Sequence, residues 1–451
     1  HRAKTYPGGL QITDHLGKAG RPLQRAIQQV DHKRDEQKQQ DARDPVSNRS
    51  HCADRKVDPE KIQIDWRRSL GCHVISWLFP GLIPLRRREH QSPGGTCRLL
   101  TGPGRSTTIQ VHLQTDGPAM KSDWKTFLAE FGAEFEGEHV AHYGNPVHER
   151  EVALSGLVFA DLGYQGVIGV HGADAGSFLQ TQLSNDLSQL DDGSRSQLDA
   201  YCTPKGRMLG LMRVFRQGDS YYLRLPLDTL EAVQQRLRMY VLRAAVTLED
   251  ATDNFLRIGV SGAVAGKELQ AVAGGLPDGV DQAVHHGELS ILQVAGNQPR
   301  YEVYASSLAA ARSLWDALNV HGAPVGEPAW RLLEILAGLP AVFAPTAELF
   351  VPQMANLQLV NGVSFKKGCY PGQEIVARMQ YLGTLKRRMY LGRIDTDALL
   401  APGDALFPAA DSEQPVGRIV DAQPHPDGGQ AALAVLQIKS AAAADVYLGA
   451  P

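Results

Sequence analysis

Residues 350–378 read FVPQMANLQLVNGVSFKKGCYPGQEIVAR, and the second half of that run carries most of the information in the chain. Pro371-Gly372 fits the two central positions of a type II turn, Pro presetting its φ and Gly supplying the positive φ. Cys369 therefore stands just before a sharp reversal. Past the turn, Gln373–Tyr381 can run as a short helix stopped by Gly383, with Glu374 and Arg378 four apart and placed to pair along its face. Lys367 lies two residues from Cys369, with Lys366 beside it, and positive charge plus free turn amides favours a thiolate. Such a thiol suits a nucleophile, a redox centre or a transient metal ligand. The plain alternative is a small buried Cys in a tight turn.

Working outward, apolar patterning becomes regular from about Val152. A strand at 167–170 leads into a helix at 173–183. Strands at 207–216 and 221–225 are joined at Gly218-Asp219, a hairpin signal. Leu227, Leu230, Val233 and Leu237 recur at helical spacing, and 244–248 returns to strand character. The pattern repeats loosely: strand 256–260, helix 263–272, strands 289–294 and 300–303, helices 306–318 and 327–336. The expectation is an α+β fold with mostly antiparallel pairing. After Gly383 the helical period stops. Short alternating runs at 389–394, 416–419 and 431–435, broken by Pro and Gly, predict a small β-barrel over 385–451.

The chain has 451 residues and a formal net charge of −3, but the charge is unevenly laid out. Residues 1–119 carry a balance of +8 and residues 120–451 one of −11; all seven Met fall at or after Met120. The first stretch is polar, with runs such as DHKRDEQKQQDARD, and offers too little apolar surface to offset the entropy of ordering it. It is expected to be an upstream extension, either disordered or not part of the native protein, with 120–151 a leader to the body. Its one oily run, 70–85, is short for a membrane span and contains His73, Pro80 and Pro84. Asn48-Arg49-Ser50 is a glycosylation sequon by spelling only.

Other motifs carry little. Gly166, Gly169 and Gly172 do not have dinucleotide spacing. The segment SGAVAGKE at 261–268 is a residue short of a phosphate loop and ends on a carboxylate that would repel phosphate. His285-His286 has no partner at ligand spacing, so no metal site is expected. Cys202 and Cys369 are the body's two thiols, too few for a closed iron–sulfur cluster. The acidic body argues against strong direct nucleic-acid binding.

The run KGCYPGQE resembles the signature of the YgfZ family, folate-binding relatives of the glycine-cleavage T-protein that serve iron–sulfur protein maturation. FLQTQLSNDL at 178–187 and YCTPKGRMLGLMRVFR at 201–216 are similar to further family blocks, so the resemblance spans about 152–451. It implies two T-protein-like α+β subdomains around a folate pocket (152–384) closed by a C-terminal barrel (385–451). It implies functional roles for Lys367, Gly368 and Cys369, with Tyr370, Gly372, Gln373, Glu374 and Arg378 completing the motif. Trp330 falls where the family places an aromatic that packs on tetrahydrofolate or a derivative, and stacking on a pterin suits an indole. The family's second aromatic falls at Gln165, beside Tyr164.

The implied function is folate-dependent support of iron–sulfur enzymes, including those that methylthiolate tRNA, in the cytoplasm, with iron–sulfur assembly proteins and client enzymes as partners and no membrane. An aminomethyltransferase of the glycine-cleavage type is the first alternative. That chemistry uses an acidic pair after a Lys-Gly step; here the step is Lys205-Gly206, and the corresponding positions are Gly210 and Leu211, which offer no proton acceptor. A non-catalytic adaptor is the other alternative, and it makes Cys369 dispensable.

Overall fold

The computed structural model describes residues 10–11, 98–101, 105–108, 117–408, 412–441 and 446–448, with side-chain surroundings from Met120 onward. The chain divides into residues 39–115 and a larger unit formed by 1–38 with 116–451. In the smaller unit the described residues form a hairpin, Arg98–Thr101 antiparallel to Arg105–Thr108. The expectations for 70–85 and for the sequon at Asn48 lie outside the described residues, as does most of the expected extension.

The larger unit opens with α1 (Gly117–Glu130) and α2 (Pro146–Ser155), the latter capped by the Asn145 side chain, which accepts from the His148 amide. Then come β1 (Val158–Asp161), β2 (Gln165–His171), α3 (Ala175–Gln182), β3 (Ser196–Cys202), β4 (Met208–Gln217), β5 (Ser220–Pro226), α4 (Leu227–Arg238) and β6 (Thr247–Asp250). The next stretch holds β7 (Leu256–Ser261), α5 (Ala265–Ala273), β8 (Ala283–His286), β9 (Leu289–Val294), β10 (Arg300–Ala305), α6 (Leu308–Leu318), β11 (Ala323–Pro324), α7 (Glu327–Leu336) and α8 (Gln373–Tyr381). The last part is β12 (Arg387–Ile394), β13 (Ala405–Phe407), β14 (Gly417–Pro424), β15 (Gln430–Gln437), α9 (Ile438–Ala441) and β16 (Tyr447–Leu448).

Strands β6-β2-β5-β4-β3 form an antiparallel sheet in that order. One face is covered by α3 and α4, where Phe178, Leu179, Leu230, Val233 and Leu237 pack on Ile168, Val170, Val214 and Leu223. A second sheet, β8-β9-β10-β7-β1-β11, is antiparallel except for the β1–β11 pair. Trp124, Phe127, Leu314 and Trp315 of α1 and α6 bury its outer face against Phe159, Ile258 and Val303. The inner faces of the two sheets meet through Val167, Phe215, Leu292, Val294 and Tyr304. The expected α+β layout with antiparallel pairing is therefore present. One strand differs: 244–248 is extended only from Thr247, because 240–244 is taken up by turns that include Leu242 at φ +46°.

The C-terminal strands make an all-antiparallel sheet ordered β12-β15-β14-β13-β16, with Leu10–Gln11 pairing on the outer edge of β12. The strands expected for a small β-barrel over 385–451 are present as this ladder. Its Met389, Val420, Leu433 and Val435 share a core with Leu332 and Ile335 of α7 and Met208 and Leu211 of β4. That shared core fixes the sheet against the body.

Candidate functional site

The Pro371-Gly372 turn has the predicted geometry: Gly372 has φ +82° and ψ 0°, and the Gln373 amide donates to the Tyr370 carbonyl at 3.1 Å. Helix α8 starts directly after it. A Cβ on Gly372 would lie 2.4 Å from the Thr203 carbonyl oxygen and 2.6 Å from the Gly206 Cα. Gly206 itself has φ +68°. The Thr203–Gly206 turn at the end of β3 and the turn of the Cys motif thus touch backbone to backbone, which glycine on both sides permits.

A third segment joins them. After α3 the chain passes through Leu183, Ser184, Asn185 and Asp186, and this turn is bonded to the approach of the motif. Ser184 Oγ donates to the Gly362 carbonyl (2.8 Å), Asn185 Nδ2 to the Asn361 carbonyl (2.6 Å), and the Ser364 amide to the Ser184 carbonyl (3.0 Å). The Lys367 amine donates to the carbonyls of Leu183 (2.7 Å) and Asn185 (2.6 Å) and lies 5.5 Å from the centre of the Tyr370 ring. Asp199 of β3, fully buried, accepts from the Asn185 amide (2.7 Å) and Gln197 Nε2 (2.8 Å). Burial pushes the Asp199 carboxyl up to about 7 and the Lys367 amine down to about 8, each loss of hydration only partly offset by the opposite charge of the other.

Lys367 therefore points inward as a tie between two loops, while Gly368 and Cys369 are exposed. Tyr370 is buried, and Gln373 Nε2 donates back to the Lys367 carbonyl at 3.3 Å. Glu374 and Arg378 stand on α8, but no ion pair within 4 Å joins them among the described residues. Both are solvated there, where pairing gains little over water. Cys202 is 1% exposed at the end of β3, and burial pushes its thiol up to about 12. Among the described residues no group of three or more His, Cys, Asp or Glu could hold a metal ion, and no helix is long and apolar enough to cross a membrane.

The other expected residues lie elsewhere, at the interior between the two sheets. Trp330 is fully buried, its ring set against Gly259, where an added Cβ would come within 2.5 Å, and covered by the Arg300 guanidinium at 5.4 Å. Gln165 is buried and donates from Nε2 to the Tyr164 hydroxyl (3.0 Å), which donates to Glu334 Oε2 (3.0 Å). Across this interior Arg224 Nη2 donates to Glu302 Oε1 (2.5 Å) and the Tyr304 hydroxyl to Glu302 Oε2 (3.0 Å). Burial would raise the Glu302 carboxyl, but Arg224, Arg213 and Arg300 hold it below its ordinary value. Buried atoms without a hydrogen-bond partner gather here: Gln165 Oε1, Trp330 Nε1, Arg224 Nε and all three guanidinium nitrogens of Arg300.

No family model matches the chain. It is 33% identical over 225 residues to the tRNA-modifying protein YgfZ of Colwellia psychrerythraea, covering 50% of this chain and 68% of that protein. To the protein of the same name from Edwardsiella ictaluri it is 32% identical over 272 residues, covering 60% of this chain and 81% of the relative. The chain belongs to the YgfZ family. Its fold is similar to that of the glycine cleavage system aminomethyltransferase T from Bartonella henselae, with a TM-score of 0.59 over 70% of this chain and 89% of that one, at 17% identity.

For this YgfZ chain, sequence reasoning missed Ser184, Asn185, Asp199, Arg300 and Glu302 as site residues. Only the last two left a usable signal. Arg300, Glu302 and Tyr304 alternate along one strand, a pattern that ordinarily marks a solvent face and here marks a buried polar one.

Proposed function

We propose that the protein binds a reduced folate between its two sheets and uses the Cys369 thiol to support maturation of iron–sulfur enzymes in the cytoplasm, among them enzymes that modify tRNA. One observation carries the reading: the turn after α3, the Thr203–Gly206 turn and the Cys motif, far apart in sequence, are bonded into one platform that leaves Gly368 and Cys369 facing solvent. The relatives' name supplies the tRNA link.

The interior fits a folate chemically. A pterin edge offers alternating donors and acceptors, and the unpartnered Gln165 Oε1, Trp330 Nε1 and Arg224 Nε can answer both kinds. Tyr164, Gln165, Glu302 and Trp330 would hold the ring. Bound tetrahydrofolate would supply a one-carbon carrier. The chain's own part is to exclude water from that interior and to keep Glu302 ionised through Arg224. At the other site, Lys367 and Asp199 hold the loop that presents Cys369. Cys202 is too buried to complete a cluster, so any transferred sulfur or iron needs a thiol from a partner, either an assembly protein or the client enzyme.

The aminomethyltransferase alternative has the fold likeness in its favour. Against it, a Cβ at Gly210 would meet Val233 at 2.9 Å, and Leu211 is 4% exposed, so no carboxylate can stand at either position without repacking. The test is complementation of a strain lacking its YgfZ, with methylthiolated tRNA measured by mass spectrometry. Wild type should restore the modification and Cys369→Ala should not. Equal rescue would favour the adaptor.

A further inference from the structure

Beside Trp330, α2, α7 and the turn at 296–298 line a cavity of about 40 Å³. Its walls are Leu154, Leu333 and Leu336 on one side and Ser261, Gln298 and Arg300 among the polar ones. Arg300 is 1% exposed, and none of its three guanidinium nitrogens has a hydrogen-bond partner. No carboxylate lies within ion-pair distance of it among the described residues. The two nearby are committed: Glu302 to Arg224 and Tyr304, Glu334 to Tyr164. A guanidinium taken out of water with five donors unused is costly unless an anion meets it. The Trp330 face and the charges of Glu334 and Glu302 offset part of that cost, but none gives the guanidinium a hydrogen bond.

We propose that this cavity is a carboxylate-binding site in which Arg300 takes the charge. Several features point to a single carboxylate group carried on an apolar body. Arg300 is the one charged side chain lining the cavity, so a dianionic phosphate would bring uncompensated charge. Ser261 stands opposite Arg300 in the β7–β10 ladder, giving a neutral donor beside the cation. Gln298 is already fixed by its Nε2 bond to the Leu154 carbonyl at 2.8 Å. The leucines supply the surface for the body of the ligand. At about 40 Å³ the cavity is far below the roughly 300–1,000 Å³ of pockets that enclose whole small molecules, so it has room for a carboxylate group and the first carbons behind it, a very small acid or one end of a longer molecule. The carboxylate comes from the glutamate end of the folate, whose second carboxylate would stay in solvent and in which case the inference rests on the reading above, or from a free carboxylic acid.

Calorimetry on the full chain separates these. The probes are p-aminobenzoylglutamate, which has the carboxylates without the pterin, 6-methyltetrahydropterin, which has the ring without a carboxylate, and butyrate. Arg300→Gln should weaken p-aminobenzoylglutamate at least tenfold, and at least fivefold more than it weakens 6-methyltetrahydropterin. Leu336→Trp, which fills the cavity and keeps the charge, should weaken the acid to a similar degree. Butyrate binding that is lost in Arg300→Gln identifies a free acid; binding of p-aminobenzoylglutamate alone identifies the folate tail. Acid binding without pterin binding would overturn the folate reading and leave this site standing. No acid binding to wild type, or affinities unchanged by both variants, would overturn the proposal.

Discussion

Two glycines of the Cys motif should respond to alanine in opposite ways. At Gly372 the new Cβ must be borne at φ +82° and would lie 2.4 Å from the Thr203 oxygen, 2.6 Å from the Gly206 Cα and 2.7 Å from the Gly206 nitrogen. The left-handed backbone costs about 1–2 kcal/mol for a residue with a Cβ. Overpacking against neighbours that cannot rotate away adds about 1–3 kcal/mol. Gly372→Ala should therefore destabilise the protein by about 2–5 kcal/mol. At Gly368 φ is not positive and nothing lies within 4 Å of the Cβ position, so Gly368→Ala should stay within about 0.5 kcal/mol of wild type. Urea unfolding at pH 7 measures both, and hydrogen exchange locates the damage. Gly372→Ala should speed exchange at 203–206 as well as at 370–376, because the two turns are wedged together. Equal midpoints for the two variants, or faster exchange confined to 370–376, would refute the packing argument.

Alkylation by iodoacetamide near neutral pH should be at least a hundredfold faster at Cys369 than at Cys202, since the first thiol is exposed and the second is buried and pushed up to about 12; comparable rates by site-resolved mass spectrometry would sink that assignment. Trp330→Ala should cost about 3–5 kcal/mol, as removal of a buried indole does, and should weaken tetrahydrofolate about three- to tenfold through lost stacking; unaltered unfolding would contradict its place in the core. Asp199 sets a pH dependence. Its folded value, about 7, lies above the ordinary 3.8, so the native state holds the extra proton and stability falls as pH rises from about 4 to 7. Over that window wild type should lose up to about 4 kcal/mol relative to Asp199→Asn; parallel stability curves for the two would show that Asp199 does not titrate as described.

The parts of the fold that follow from local chemistry were legible. The helices Glu327–Leu336 and Gln373–Tyr381 and the strand Leu289–Val294 fall on the residues that periodicity and turn signals pick out. The Pro371-Gly372 turn was readable because two residue types nearly determine its geometry. What could not be read was contact between distant segments. Lys367 is a clear case. Its closeness to Cys369 in sequence suggested a charge beside the thiol, yet its amine is bonded to carbonyls more than 180 residues upstream. Arg213, Arg300 and Glu302 were passed over for a related reason: charged residues at alternate strand positions read as solvent-facing, and only the second sheet makes that face an interior.

The spelling of the motif now divides by task. Lys367 ties two loops, Tyr370 is buried under its charge, Pro371 and Gly372 make a turn with no room for a Cβ, and Gln373 closes back on the Lys367 carbonyl. These are constraints on shape. Gly368 and Cys369 are held up by that scaffold, and neither lines the cavity beside Arg300 or the one under α1. An exposed thiol on a turn held by three segments has few walls of its own with which to select a small substrate. Under the function proposed above, selectivity would come from the surface of the protein partner that docks there and brings the second thiol.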